Sequence, residues 1–150
     1  MGTLKRRLSI QDDDGEHICA VYVEPDANGF EGADLSGLTA RGVTNLRGIS
    51  FKGADFYWAN LSMSDFSGCN FEGANLAGAT LRDSKFVGAN FRNAYLGLDN
   101  LGGATSLQGA DLTDADFSGA SLAGAEFNTQ TKFPRGFSPA RAGMVDTDAT

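Results

Sequence analysis

Few residues of this 150-residue chain have the types and spacing that catalysis needs. His17 is the only histidine, so a Ser-His-Asp or Cys-His arrangement has a single candidate base. The two cysteines, Cys19 and Cys69, lie far apart and form no Cys-x-x-Cys pair, which argues against a zinc site or a disulfide framework. P-loop, Gly-x-Gly-x-x-Gly and EF-hand patterns are absent from the sequence. We therefore predict a protein that is not an enzyme, with no catalytic residues, no cofactor and no metal.

Three aromatic residues, Tyr57, Trp58 and Tyr95, suggest binding of another protein instead. Exposed aromatic side chains mark protein-binding surfaces more often than chance. A single Trp or Tyr that only shields a corner of the fold is the alternative interpretation. Whether these residues are exposed, and which residues lie beside them, depends on the elements that position them.

A five-residue period runs through most of the chain and determines those elements. Leu or Phe occupies every fifth position over residues 46–101 and again, after a slip of one residue, over 107–127. A small residue precedes nearly every Leu or Phe by two positions, Asp or Asn often precedes it by one, and Gly often follows it by two. Five matches neither the 3.6-residue period of a helix nor the two-residue period of a strand. The Leu/Phe positions are Leu46, Phe51, Phe56, Leu61, Phe66, Phe71, Leu76, Leu81, Phe86, Phe91, Leu96, Leu101, Leu107, Leu112, Phe117, Leu122 and Phe127.

Alternation along an extended chain explains the pattern. Residues two apart point to the same side of a strand, so the small residue and the Leu or Phe face inward while the Asp or Asn faces water. The chain must then bend, and glycine tolerates the backbone angles of a corner. One such unit buries nothing alone, but stacked turns share a continuous core. The sequence therefore predicts a solenoid.

The consensus Ala-(Asp/Asn)-(Leu/Phe)-x-Gly resembles the motif of the pentapeptide repeat family over about residues 30–127. This resemblance implies an all-β fold, a right-handed quadrilateral parallel β-helix with four pentapeptides per turn and about five turns here. The C-terminal stretch "TKFPRGFSP" is similar to that of cyanobacterial-type members.

Four sides per turn predict that residues twenty apart stack. Phe51, Phe71 and Phe91 then form one inner column, Phe66 and Phe86 lie in another, and a leucine column contains Leu61, Leu81, Leu101 and Leu122. On the outside, Asn75 lies between Asp55 and Tyr95. The predicted partner-binding surface consists of Tyr57, Trp58, Tyr95, Asp55 and Asn75.

Asp99 is an irregular site, because it occupies an inward small-residue position beside Gly102 and Gly103. A lone buried carboxylate is costly. We expect a bulge there, with Asp99 facing water or binding backbone N–H groups. A functional notch is the alternative.

The predicted organisation has three parts. Residues 1–29 form an N-terminal cap containing a β-hairpin over 4–24, residues 30–127 form the β-helix, and residues 128–150 form an irregular C-terminal cap with a mobile tail. Phase slips near 36–45 and 102–106 are expected to add about one residue each, enough for a bulge but not for a protruding loop.

The net charge of −7 argues against direct binding of nucleic acid or an anionic membrane. The sequence contains no apolar stretch long enough to span a membrane and no visible signal peptide, so a cytoplasmic protein is expected. Two functions fit. The first is a rigid scaffold that binds an unidentified protein partner, with an open oligomeric state. The second follows a branch of the family whose acidic rods resemble duplex DNA and bind DNA gyrase, some conferring quinolone protection.

Overall fold

The computed structural model describes residues 4–149 and is built almost entirely from β-structure. Within this range the strands are β1 (Arg6–Gln11), β2 (His17–Val23), β3 (Glu126–Phe127) and β4 (Val145–Asp146), and no helix occurs. Between β2 and β3 the chain is joined by single parallel bridges, because each side of the coil is only a few residues long. The parts of the predicted N-terminal cap at 1–3 and of the predicted tail at 150 lie outside the described residues.

An N-terminal hairpin precedes the coil. Strands β1 and β2 pair antiparallel, with an irregularity between Ile10 and Gln11. Ile10 and Val23 are buried in the same core cluster as the coil residues. At the hairpin turn, the Asp13 carboxylate accepts hydrogen bonds from the backbone N–H and the hydroxyl of Thr44, so the hairpin is attached to the first part of the coil.

Four parallel ladders give the coil four sides. Asn70, for example, bridges to Ser50 before it and to Asn90 after it, each twenty residues away. Each bridge contains two backbone hydrogen bonds: Phe71 N donates to Asn90 O (2.7 Å) and Asn90 N donates to Cys69 O (3.0 Å). Ladders of this kind satisfy the backbone hydrogen bonds between turns, so the interior can be largely apolar.

Stacked rings fill much of the core. Adjacent members of the main Phe column have ring centroids 5.1 to 5.4 Å apart and nearly parallel planes. Phe66 and Phe86 stack in the same way at 5.6 Å. Both predicted Phe columns are therefore confirmed, and the main column is longer than predicted. Its members are Phe30, Phe51, Phe71, Phe91 and Phe117.

The outward Asp and Asn residues have a structural role beyond facing water. Asn70 Oδ1 accepts the backbone N–H of Glu72 (2.9 Å), and Asp116 Oδ1 accepts that of Ser118 (2.9 Å). The same bond to the residue two positions later recurs along the coil and fixes the bend after the sides whose outward residue is Asp or Asn. Because an amide oxygen and a carboxylate oxygen both accept this bond, Asn and Asp are interchangeable in the repeat.

At most corners of the coil, the residue two after the Leu or Phe has a left-handed backbone conformation. Glycine occupies most of these corner positions, as at Gly73 (φ 66°). Within residues 4–149, five residues other than glycine also have positive φ, all between 57° and 60°. They are Trp58, Met63, Asp83, Asn93 and Asp114.

The first phase slip adds one residue to the first turn. Bridges from the first turn join residues 21 apart, as in the pair Thr39 and Asn60, whereas the next turn has the regular spacing of twenty. The second slip is much larger than predicted. Thr80 bridges to Ser106, 26 residues away, so this turn contains six extra residues.

The predicted leucine column is consequently wrong at two positions. Leu101 is 81% exposed, and Leu107 takes the inner position that follows Leu61 and Leu81. Leu122 instead follows Leu96, whose N–H donates to Ser121 O (2.8 Å). The predicted bulge is in fact a loop over residues 97–104, since Leu101 keeps the five-residue phase without belonging to a side of the coil.

The C-terminal segment continues along the coil. Lys132 bridges to Asp111, and Phe137 packs on Phe117 with centroids 5.3 Å apart. Strand β4 pairs parallel with β3, and Thr147 N donates to Phe127 O (2.8 Å). Residues 145–147, for which the sequence predicts a mobile tail, are thus hydrogen-bonded to the preceding turn.

Candidate functional site

The residues of the predicted partner-binding surface converge around one surface pocket of about 420 Å³, here called the ladder pocket. Asp55, Asn75 and Tyr95 are successive members of one outward ladder, which begins at Asp34. Tyr57 lies on the adjoining bend. Side chains from the loop at 97–104 close the other side of the pocket. The residues that line it include Asp55, Tyr57, Asn75, Tyr95, Leu98 and Asp99.

The polar wall of the ladder pocket is fixed by hydrogen bonds. Asp55 Oδ1 accepts the Tyr57 backbone N–H (3.0 Å) and Asn75 Nδ2 (3.1 Å). Asn75 Oδ1 in turn accepts the backbone N–H of Ala77 (3.1 Å). Two of these bonds are the ordinary bend contacts of the repeat, and the bond from Asn75 Nδ2 joins neighbouring turns and also holds the Asp55 carboxylate in place.

Trp58 extends the aromatic side of the pocket. The Trp58 backbone lies at a left-handed corner (φ 59°), and the indole ring stacks on the Tyr57 ring with ring centroids 5.5 Å apart. The indole Nε1 donates to Asp99 Oδ2 (2.5 Å), although Trp58 remains 52% exposed. Gly78 makes this contact possible, because a Cβ there would lie 2.6 Å from Trp58 Cδ1 and 2.8 Å from Asp99 Oδ2.

Asp99 organises the loop and does not occupy an inward position. Besides the Trp58 indole, its carboxylate binds the backbone N–H groups of Leu101 and Gly103, both at 2.7 Å. The sequence predicts that Asp99 faces water or binds backbone N–H groups, and in the structure its carboxylate binds two such groups. The bond from Trp58, followed by that from Gly103, holds the pKa of Asp99 below its usual range, so the carboxylate is charged at neutral pH.

Other contacts fasten the loop to the coil. Tyr95 Oη donates to Leu98 O (3.0 Å), and Asn100 N donates to Tyr57 Oη (3.4 Å). The buried Thr105 hydroxyl lies 2.8 Å from Leu76 O and 2.9 Å from Gly97 O, at the base of the loop. The loop therefore has bonds at its base and at its middle.

Sequence reasoning missed two apolar residues of this surface. Leu98 lines the ladder pocket with Tyr95 and is 42% exposed, and Leu101 of the same loop is 81% exposed. The signal that could have identified them is Asp99, which breaks the rule of a small residue two positions before Leu101. A charged residue at this inward position is costly to bury, which favours a loop over a side of the coil.

The nucleophile candidates are placed unfavourably for catalysis. The Cys69 thiol is buried and lies 2.8 Å from Leu46 O, and burial raises its pKa to about 11. Burial also raises the pKa of Cys19. His17 is exposed at the start of β2. Among residues 4–149, His, Cys, Asp and Glu form no group of three or more arranged to hold a metal ion.

The repeat geometry agrees with a comparison to known families. The model of the family described as "Pentapeptide repeats" matches in eight copies, at residues 30–73, 64–97 and 103–128. This chain is a member of the pentapeptide repeat family. Membership implies a right-handed quadrilateral β-helix, and the four observed ladders agree with four sides. The matches skip residues 98–102 of this pentapeptide repeat protein, which lie within the loop.

Solved structures similar to this pentapeptide repeat protein include a pentapeptide repeat protein from Nostoc Pcc 7120, with 25% identity, coverage of 76% of this chain and 84% of that one, and a TM-score of 0.28. One from the Arabidopsis thaliana thylakoid lumen has 28% identity, coverage of 67% and 66%, and a TM-score of 0.43. A trypsin-treated form of QnrB1, a plasmid-mediated fluoroquinolone resistance protein, has 18% identity, coverage of 77% and 58%, and a TM-score of 0.36. A search of curated proteins finds no significant match.

No helix within residues 4–149 is long and apolar enough to cross a membrane.

Proposed function

We propose that this pentapeptide repeat protein is a rigid, non-enzymatic scaffold that binds a protein partner through the loop face. The loop face consists of the ladder pocket together with the exposed side chains of Trp58, Leu98 and Leu101. The observation that carries the proposal is the exposure of these apolar side chains on a loop that Asp99 and Thr105 hold in place.

Trp58 supports the proposal in a second way. A bulky residue at a left-handed corner is strained, and most corners of this coil avoid the strain with glycine. The Trp58 side chain nevertheless remains about half exposed, so burial in the core does not explain its presence. Tryptophan and tyrosine are enriched among the residues that dominate protein interfaces. Fixing them before binding lowers the entropy lost on association.

The test is recovery of a partner by affinity purification from the source cell. Replacing Trp58 and Tyr95 with Ser removes the aromatic part of the loop face and is expected to abolish recovery of specific partners. Met63→Ser is the matched control, because Met63 is 53% exposed and also lies at a left-handed corner, on a different edge of the coil. Equal recovery by the double variant and by the control, with both folded by circular dichroism, would contradict the proposal.

DNA mimicry toward DNA gyrase is a second candidate, favoured by the net charge of −7. A mimic of duplex DNA needs a dense and regular negative surface. One outward ladder of this protein instead alternates in sign, as Asp65, Lys85, Asp111 and Lys132. A gyrase supercoiling assay separates the candidates: inhibition or quinolone protection at micromolar protein supports mimicry, and no effect supports the scaffold.

A further inference from the structure

The ladder pocket carries negative charge without a compensating cation. Asp55 and Asp99 line it together with uncharged residues, and Asp34 precedes Asp55 in the same ladder. The ion pairs found among residues 4–149 join Lys5 to Glu24, Arg47 to Asp65, Lys52 to Glu72 and Arg92 to Asp116. Among the described residues, neither of the two pocket carboxylates, Asp55 and Asp99, forms an ion pair, and Asp34 beside the pocket forms none either.

The same pocket presents aromatic rings in fixed positions. Tyr57 and Tyr95 line it, and the bonds of their hydroxyl groups to the loop hold both rings in place. The Trp58 indole stacks on Tyr57 with an angle of 13° between the ring planes. Aromatic faces attract cations, and a guanidinium group adds planar stacking to this attraction.

One strong acceptor in the pocket is unused. Asp55 Oδ1 takes both hydrogen bonds that the coil supplies, and Oδ2 has no donor among residues 4–149. A pocket of about 420 Å³ has room for a large side chain, since ligand pockets commonly range from about 300 to 1,000 Å³. Carboxylate oxygens and aromatic faces in a single pocket suit a flat cation with several donors.

From this combination we infer that the ladder pocket binds an arginine side chain of the protein partner. The guanidinium group would donate to Asp55 Oδ2 and stack against the tyrosine rings, while Asp99 adds negative charge. Arginine fits better than lysine because its planar donors match a carboxylate and an aromatic face at once. This inference rests on the proposed protein-binding function and names the chemistry that the partner must supply.

The experiment uses the full-length protein and a capped Gly-Arg-Gly peptide. Trp58 is the only tryptophan of the chain, so its fluorescence reports directly on the pocket. A saturable change in emission is expected with the arginine peptide. The same peptide with citrulline, a neutral isostere of arginine, should bind at least about tenfold more weakly, and the lysine peptide should also bind more weakly. Equal binding of the citrulline peptide would overturn the inference.

Asp55→Asn tests the carboxylate without disturbing the fold. Asn75 and Asn70 show that an amide oxygen fills the same bend role in this coil. The substitution is expected to weaken binding of the arginine peptide by about tenfold. Asp116→Asn is the matched control, because it removes one charge from a bend on another ladder, and it should leave binding unchanged. Unchanged binding by Asp55→Asn would also overturn the inference.

The two proposals can fail separately. If partner recovery depends on Trp58 and Tyr95 but the arginine and citrulline peptides bind alike, the loop face is an interface and the arginine inference is wrong. If the arginine peptide binds as expected but recovery is the same with Trp58 and Tyr95 replaced, the pocket chemistry is right and its role in protein binding is wrong.

Discussion

Two leucines six positions apart provide a sharp test of the loop at 97–104. Leu107 is fully buried, and backbone bonds join its turn to the turns before and after it, from Leu81 N to Ser106 O and from Leu107 N to Glu126 O. These bonds keep the turns from closing over a void, so Leu107→Ala should leave a cavity. The expected loss is in the upper part of the range of about 2–5 kcal/mol in the free energy of unfolding. Leu101 is 81% exposed, and Leu101→Ala should change that free energy by less than about 0.5 kcal/mol.

Urea denaturation followed by far-ultraviolet circular dichroism measures both variants against the unsubstituted protein. A lower midpoint with an unchanged slope reports a loss of stability alone. A five-residue phase that continued through residue 101 would bury Leu101, and the two variants would then lose similar amounts. Comparable losses for Leu101→Ala and Leu107→Ala would refute the assignment of residues 97–104 to a loop.

Three further predictions concern the corners, the loop and the bends. Met63→Gly should raise the free energy of unfolding by up to about 1 kcal/mol in urea denaturation, because glycine relieves the left-handed corner (φ 60°); a lower value would contradict this account of the corners. Asp99→Ala should speed amide hydrogen exchange at 97–104 while leaving the ladders protected, and unchanged exchange would mean that Asp99 does not hold the loop. Hydrogen bonds from Ser36 hold the pKa of Asp34 below its usual value of 3.8, so the stability contributed by the charged group is present above that pH and is lost as pH falls through the lowered pKa. The urea concentration at the unfolding midpoint should therefore decrease as the pH is lowered below about 4, and this decrease should be smaller in Asp34→Asn.

Much of the fold could be predicted because the residue type at each position of the repeat reflects whether that position is buried, exposed or at a bend. The inward place of Phe71 and the outward place of Asn75 follow from alternation in a short strand. Stacking at twenty residues predicts that Asp55, Asn75 and Tyr95 lie together, and the bridges join them in that order. The hairpin of β1 and β2 was also visible, since its two alternating runs are separated by acidic residues and a glycine.

The rest of the site could not be predicted because it depends on contacts outside the repeat. Leu101 keeps the five-residue phase, so counting alone cannot separate a one-residue bulge from a loop with six extra residues. The bond from the Trp58 indole to Asp99 joins residues 41 apart, and no period links those positions. The hydrogen bond that Asp and Asn accept at the bends is not predictable for a different reason. Exposure to water already accounts for a polar residue at an outward position, so alternation gives no sign that its side chain also binds the backbone.

The bridge between Thr80 and Ser106 has a consequence for how such proteins diversify. The ladder closes across the insertion, and the next bridge on that side, between Ser106 and Glu126, returns to a spacing of twenty. The length of the segment between Leu96 and Thr105 is thus uncoupled from the register of the turns on either side. Other loops could be grafted onto this corner, much as antibody loops are exchanged on a constant framework, so that recognition changes while the rod stays the same.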